Sequence, residues 1–178
     1  KDALGTPIIW GESGATGISL TVTKTLSVDG LANAAARQGA SADLGATWDR
    51  DYLVQQFVEV GTAPTAGTTV ECYLAWSHDN TNWPSAVTGS DGSYPNLTGA
   101  TVATAKLTLG FPANILVADG GTGTNRVQSS NPTVIRAKAR YVTVVQVNLL
   151  GQAFRDETTN SNNDTRIVMT PIVSQVVD

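Results

Sequence analysis

The chain has 178 residues, of which 41% are hydrophobic, 6% aromatic and 15% charged, with a formal net charge of −4. That length fits one β-rich domain able to bury its core without a metal or a disulfide, and the scarcity of charge excludes a coiled coil, a helical bundle or a disordered tail. The scattered cations and acidic balance argue against nucleic acid as a partner, no run of 18 apolar residues suggests a membrane span, and Cys72, the single cysteine, has no internal partner.

Taken in chain order, the segment from Ile18 to Thr23 alternates apolar and polar residues and reads as a half-buried strand. Ala32 to Ala36 is one plausible helical turn. Tyr52 to Val60 reads as a second strand, with Leu53 and Phe57 among its apolar residues. Thr69 to Trp76 reads as a third, with Val70, Cys72, Leu74 and Trp76 on one face. The turn cluster from Gly61 to Gly67 between them predicts an antiparallel hairpin. Thr101 to Leu109 alternates again and predicts a fourth strand. Arg136, Lys138 and Arg140 fall at every second position, which places them on one face of a strand. Ala139 to Leu150 is the most strongly β segment and predicts a central strand, although either Val144 or Val145 can face inward. Thr165 to Val173 closes the pattern, and Pro171 predicts an edge or the end of that strand, because it has no N–H to donate. Gly-, Ser-, Asn- and Thr-rich loops fill residues 87–100, 119–133 and 156–164.

This pattern predicts an all-β fold, an antiparallel β-sandwich of jelly-roll-like connectivity. It is read as a single domain over residues 1–178, with residues 1–10 as a possible N-terminal arm. The predicted core draws on Leu20, Val22, Phe57, Val70, Leu74, Val142, Val144, Val147 and Ile167.

Chemistry is sparse. The one histidine, His78, lies between Ser77 and Asp79. Three consecutive residues point in different directions and do not converge as a nucleophile, base and orienter, so the segment reads as a polar hairpin tip. Asp49 and Asp51 flank Arg50, which an ion pair explains. Asp79 to Asn82 carries oxygens at alternate positions but lacks the glycine and distal glutamate of a calcium loop. The Asn- and Asp-rich run from Asp156 to Asp164 fits ordinary turn chemistry. The expectation is therefore no enzyme, no catalytic residues, no metal and no cofactor.

The segment from Trp76 to Pro84 is similar to the Ser-x-Asp-x-x-x-Trp turn of galactose-binding-type sandwiches. An alternative reading places Trp76, Trp83 and Tyr94 on a sugar-stacking platform in a carbohydrate-binding module. At the two ends, Ile8, Ile9 and Trp10, with Ile172 and Val173, are apolar where chains usually fray. Either they complete their own sandwich or they dock on a neighbour by strand addition.

Three stretches resemble the small all-β virion structural proteins of tailed bacteriophages. These are Ala36 to Thr47, with its Arg-Gln step and Asp-Leu-Gly turn; Val60 to Tyr73; and Ala139 to Gly151 followed by an edge strand ending in Thr170-Pro171. They cover about half the chain, in the right order for one sandwich. The resemblance implies a non-enzymatic virion component, with a head decoration or cement protein favoured over a tail, collar or fibre-base component. Its implied partners are further copies of itself, the major capsid protein or other virion proteins.

Overall fold

The computed structural model describes residues 6–12, 20–46, 48, 50–95, 101–121, 126–156 and 164–172. Two six-stranded sheets stack face to face. The first contains β1 (Ile8–Gly11), β2 (Lys24–Thr25), β5 (Asp51–Val60), β9 (Arg126–Ser129), β10 (Thr133–Arg136) and β12 (Arg166–Pro171). The second contains β3 (Ala36–Gln38), β4 (Ala42–Asp43), β6 (Thr69–Ser77), β7 (Gly92–Tyr94), β8 (Asn114–Val117) and β11 (Tyr141–Leu149). The strand orders are β10-β5-β12-β1-β2, with β9 also on β5, and β7-β3-β11-β6-β8, with β4 also on β11.

The pairings are nested. β1 pairs with β12, β3 with β11, β5 with β10 and β6 with β8, alternating between the two sheets and all antiparallel. A long hairpin rolled up in this way is a jelly roll, and the chain is an all-β sandwich of that kind. One parallel pair, β1 with β2, extends the first sheet.

Side chains from alternate positions meet between the sheets. Trp10, Val54, Val58, Val70, Cys72, Val142, Val144, Ile167 and Met169 are all buried there. The other face of the second sheet is covered over β6 and β11, while Ile115 and Val117 of the edge strand β8 stay exposed there. Tyr73, Ala75, Val145 and Val147 pack under Ala86, Val87, Tyr94 and Ala105 from the segments that follow β6. β11 is therefore buried along nearly its whole length. Val144 faces the sandwich core and Val145 faces the outer layer, so both valines are interior.

Several sequence-based expectations change. β5 and β6 are not a hairpin, because they lie in different sheets and the turn between them is a corner. Alternation specifies which face a residue takes, not which strand it pairs with. Phe57 sits on the outer face of the first sheet, paired opposite Arg166 and half-buried, while Tyr52, Val54, Gln56 and Val58 point inward. Within the Ile18–Thr23 run, Ile18 and Ser19 lie outside the described residues, Leu20 and Val22 are half-buried, and the strand proper is β2. The neighbouring core positions are Leu26 and Val28.

Ala32 to Ala36 forms a turn leading into β3, not a helix. Thr101 to Leu109 is helical instead of extended, comprising α1 (Val102–Ala105) and a 3-10 turn over Lys106–Leu109. Thr101 and Thr104 cap it reciprocally, and Val102, Ala105 and Leu109 recur at helical spacing to pack on the outer layer. Of the three cations, Arg136 ends β10, whereas Lys138 and Arg140 lie beyond it; all three are exposed. β12 is an interior strand that terminates at Pro171.

Two interactions bind the sheets to each other. Trp10 of the first sheet donates its indole N–H to the Ala40 carbonyl at 2.7 Å and lies over Gly39 beside β3 of the second. A Cβ at Gly39 would meet the Trp10 ring at 2.8 Å and Val144 at 3.0 Å. In the middle of the core, Gln146 Nε2 donates to Gln56 Oε1 at 3.1 Å, and Gln56 Nε2 donates to Asn114 Oδ1 at 3.1 Å. Asn114 Nδ2 in turn reaches the Val54 carbonyl at 3.1 Å and the Asn131 carbonyl at 2.8 Å. Gln56 and Gln146 are fully buried. Truncating Gln56 orphans amides on two strands, so Gln56→Ala is expected to cost about 2–4 kcal/mol in denaturant unfolding. Gly39→Ala is expected to cost about 1–3 kcal/mol by forcing the indole to shift.

Candidate interaction surface

The polar tip after β6 is a self-contained turn. Asp79 Oδ1 accepts from the backbone N–H of Asn82 at 2.8 Å and of Thr81 at 2.9 Å, and from the Ser77 hydroxyl at 3.0 Å. Asp79 Oδ2 accepts from Asn82 Nδ2 at 2.6 Å. The Asn82 and Thr81 N–H groups, followed by the Asn82 amide, hold the Asp79 carboxyl well below the usual carboxylate range. His78 stands edge-on to Trp48, with ring centroids 6.4 Å apart. Ser77, His78 and Asp79 therefore build a turn, and a cation at Asp79 would have to displace these bonds. Among the described residues, no group of three or more His, Cys, Asp and Glu side chains could hold a metal ion. Cys72 is enclosed in the core, where burial pushes its thiol up to about 12 and removes the reactive thiolate at neutral pH.

The sugar-stacking platform does not form. Trp76 packs toward the core between the sheets, while Trp83 and Tyr94 lie in the outer layer on the opposite face of the second sheet. Tyr94 is buried, and its hydroxyl donates to the Ala105 carbonyl at 2.9 Å. Trp83 lies against Gly89 and donates to the Asn80 carbonyl at 3.3 Å. Trp76 is on the inward face of β6, whereas Trp83 and Tyr94 belong to the layer on the opposite face, so the three do not share one platform.

The apolar ends divide. Ile8, Ile9 and Trp10 are buried in β1, paired with Met169, Val168 and Ile167 of the same chain. They complete the first sheet, and a neighbour does not reach them in this fold. Val173 lies outside the described residues. Ile172 is 39% exposed, and its N–H donates to the Asp51 carbonyl at 2.8 Å, in line with the outer face of the first sheet.

That outer face is the feature the sequence reading missed. Leu53 and Val134 are direct cross-strand neighbours, 36% and 59% exposed. Thr170 is opposite Leu53, and Ile172 follows two positions later on the same face. Half-buried Phe57 and Val168 continue the apolar character along β5 and β12. An antiparallel sheet with a solvated face normally alternates polar residues there. Here Leu53, Val134 and Ile172 gather apolar surface beside the exposed Asp51 and Arg136, the pattern of a contact surface with a charged rim.

At the same end of the molecule the two sheets part to form a cavity of about 610 Å³. Leu74, Trp76, Phe111, Ala113, Ile135 and Ala137 line it, with Arg136 and Lys138 also on its wall. β10 joins the two features, since Val134 and Ile135 point to opposite faces of the same strand. Leu107 and Phe111, 73% and 96% exposed, extend the apolar surface beyond the cavity.

Comparison with protein-family models, with curated proteins and with solved structures finds no match.

Asp79 gives a test of the turn geometry. Its depressed pKa means its contribution to stability is present above about pH 3.9 and is lost only as pH falls through the lower folded value. Carboxyl-carbon NMR titration is expected to show Asp79 still ionised at pH values where ordinary aspartates are half protonated. An ordinary midpoint would mean that the turn bonds are absent in solution.

Proposed function

We propose that this protein is a non-enzymatic structural component of a bacteriophage virion, a head decoration protein that adds contacts across a coat lattice. The observation that carries the reading is the apolar outer face of the first sheet, built by Leu53, Val134 and Ile172. A partner covering Leu53, Val134 and Ile172 gains hydrophobic contact. Two supports stand beside it. Jelly rolls serve in viral capsids and in lectins, which is an argument from fold analogy. The three stretches that resemble phage virion proteins include the first half of β6 and the whole of β11. Of the fold's two common uses, the dispersal of Trp76, Trp83 and Tyr94 over two faces favours assembly over sugar binding.

The experiment is cryo-electron microscopy of native particles carrying either the wild-type chain or Val134→Glu. Val134 is 59% exposed, so the substitution should leave unfolding within about 0.5 kcal/mol of wild type. Wild-type density is expected on the head surface and is expected to disappear in the variant. Density confined to the tail or collar would move the protein to that location. Normal incorporation of Val134→Glu would remove the sheet face from the account.

A further inference from the structure

We propose that two copies of this chain pair through the free edge of β8, antiparallel and about a two-fold axis, so that the second sheet of one continues into that of the other. This edge is distinct from the outer face of the first sheet, and the inference holds whether or not the chain sits on a virion.

The backbone decides that a strand binds there. β8 is the outermost strand of the second sheet and is bonded to β6 along one side. In an antiparallel ladder, alternate residues turn their N–H and C=O groups toward the same neighbour. Ala118 N–H bonds the Thr68 carbonyl at 2.8 Å, and Leu116 and Asn114 share its parity. Ile115 and Val117 therefore turn their backbone groups away from β6, toward the open side of the sheet. The other outer strands are blunted by shortness, by charge or by proline. β2 and β4 are two residues long and include Lys24 and Asp43, β9 and β10 carry Arg126 and Arg136, and β7 is three residues long and runs into Pro95. β8 has four residues, and no charge occurs from Phe111 to Ala118.

The side chains decide that the strand is a second β8. Set antiparallel about Leu116, Ile115 of each copy lies opposite Val117 of the other, and each such pair exchanges both backbone bonds. These β-branched side chains, 46% and 62% exposed, then meet on the outer face of the joined sheet. The carboxylates beside and after the strand are already paired: Glu71, opposite Ile115, with Lys106 at 2.7 Å, and Asp119 with Arg126 at 2.6 Å. The strand is thus its own complement, and two-fold pairs are the commonest association of identical chains. Of the eight large apolar side chains exposed among the described residues, Leu107, Phe111, Ile115 and Val117 fall in this one stretch. Together they expose on the order of 500 Å², and two copies reach the roughly 1,000 Å² at which a specific contact begins.

The test is sedimentation equilibrium of the full chain from about 5 μM to about 1 mM, with amide hydrogen exchange at both ends of that range. A monomer–dimer equilibrium is expected, with exchange of the Ile115 and Val117 amides at least about tenfold slower in the dimer. Val117→Lys is expected to raise the dissociation constant at least about tenfold by placing a charge on the edge. Val117→Pro is expected to do the same by removing an N–H that β6 does not use. Val117→Lys should keep the wild-type melting curve in dilute solution, because that side chain is exposed, and Val134→Glu on the other sheet should leave the dimer unchanged. A monomer at every concentration overturns the proposal, as does a dimer that Val117→Lys leaves intact. A trimer or larger species, or a dimer that only unfolding separates, assigns the association to another surface or to strand exchange and overturns it as well.

Discussion

The hydrogen bond from Gln146 to Gln56 crosses the gap between the two sheets, and the arrangement of the interaction surface depends on it. Hydrophobic burial drives the sheets together but is non-directional. Valines on facing strands can slide past one another with little change in buried area. A buried amide cannot, because losing its partner costs about 1–3 kcal/mol for each orphaned group. Gln56 passes this constraint to Asn114 on β8, and Asn114 passes it to the Asn131 carbonyl between β9 and β10. β10 then carries Val134 outward and Ile135 inward, so the amide chain in the core places both the apolar sheet face and the wall of the cavity.

The same amides explain why part of the fold was hard to read. β6 was legible from period-2 alternation, and β11 from its run of β-branched residues. β5 carries Gln56 on its inward face and Leu53 and Phe57 on its outward face. Hydrophobicity therefore pointed to the wrong side at Phe57, and the exposed apolar face could not be separated from the core. The misreading and the candidate surface have one cause, a strand that is apolar on both sides. Partner choice was opaque for a different reason. In a rolled-up hairpin, consecutive strands such as β5 and β6 fall in different sheets, and their true neighbours are distant in sequence.

The outer layer shows how a weak local signal can outweigh a stronger-looking one. Alternation over Thr101 to Leu109 suggested a strand, yet a capping pair of threonines and helical spacing of Val102, Ala105 and Leu109 made a short helical cap. That cap is fastened to the second sheet by Lys106, which bonds Glu71 at 2.7 Å while the Tyr73 hydroxyl donates to the same carboxylate at 2.7 Å. Gln38 adds a second tie, accepting from Thr88 N–H at 2.7 Å and donating to the Ser93 carbonyl at 3.2 Å. The outer layer thus covers β6 and β11, while Ile115 and Val117 of the edge strand β8, like Leu53 and Val134 of the first sheet, meet solvent.

The position of β12 has a consequence for how the molecule reaches this form. It lies between β5 and β1, so the last described strand joins the two halves of the first sheet. Until it inserts, β5 and β1 each have an unsatisfied edge facing a slot one strand wide. The contacts that close the slot span most of the chain and must overcome the loop entropy of that separation, which makes closure slow and late. A partly folded chain therefore displays two complementary edges to any identical strand nearby, and a β12 supplied by another copy would fit the slot as well as its own. At high local concentration, folding and exchange of this strand compete for the same gap.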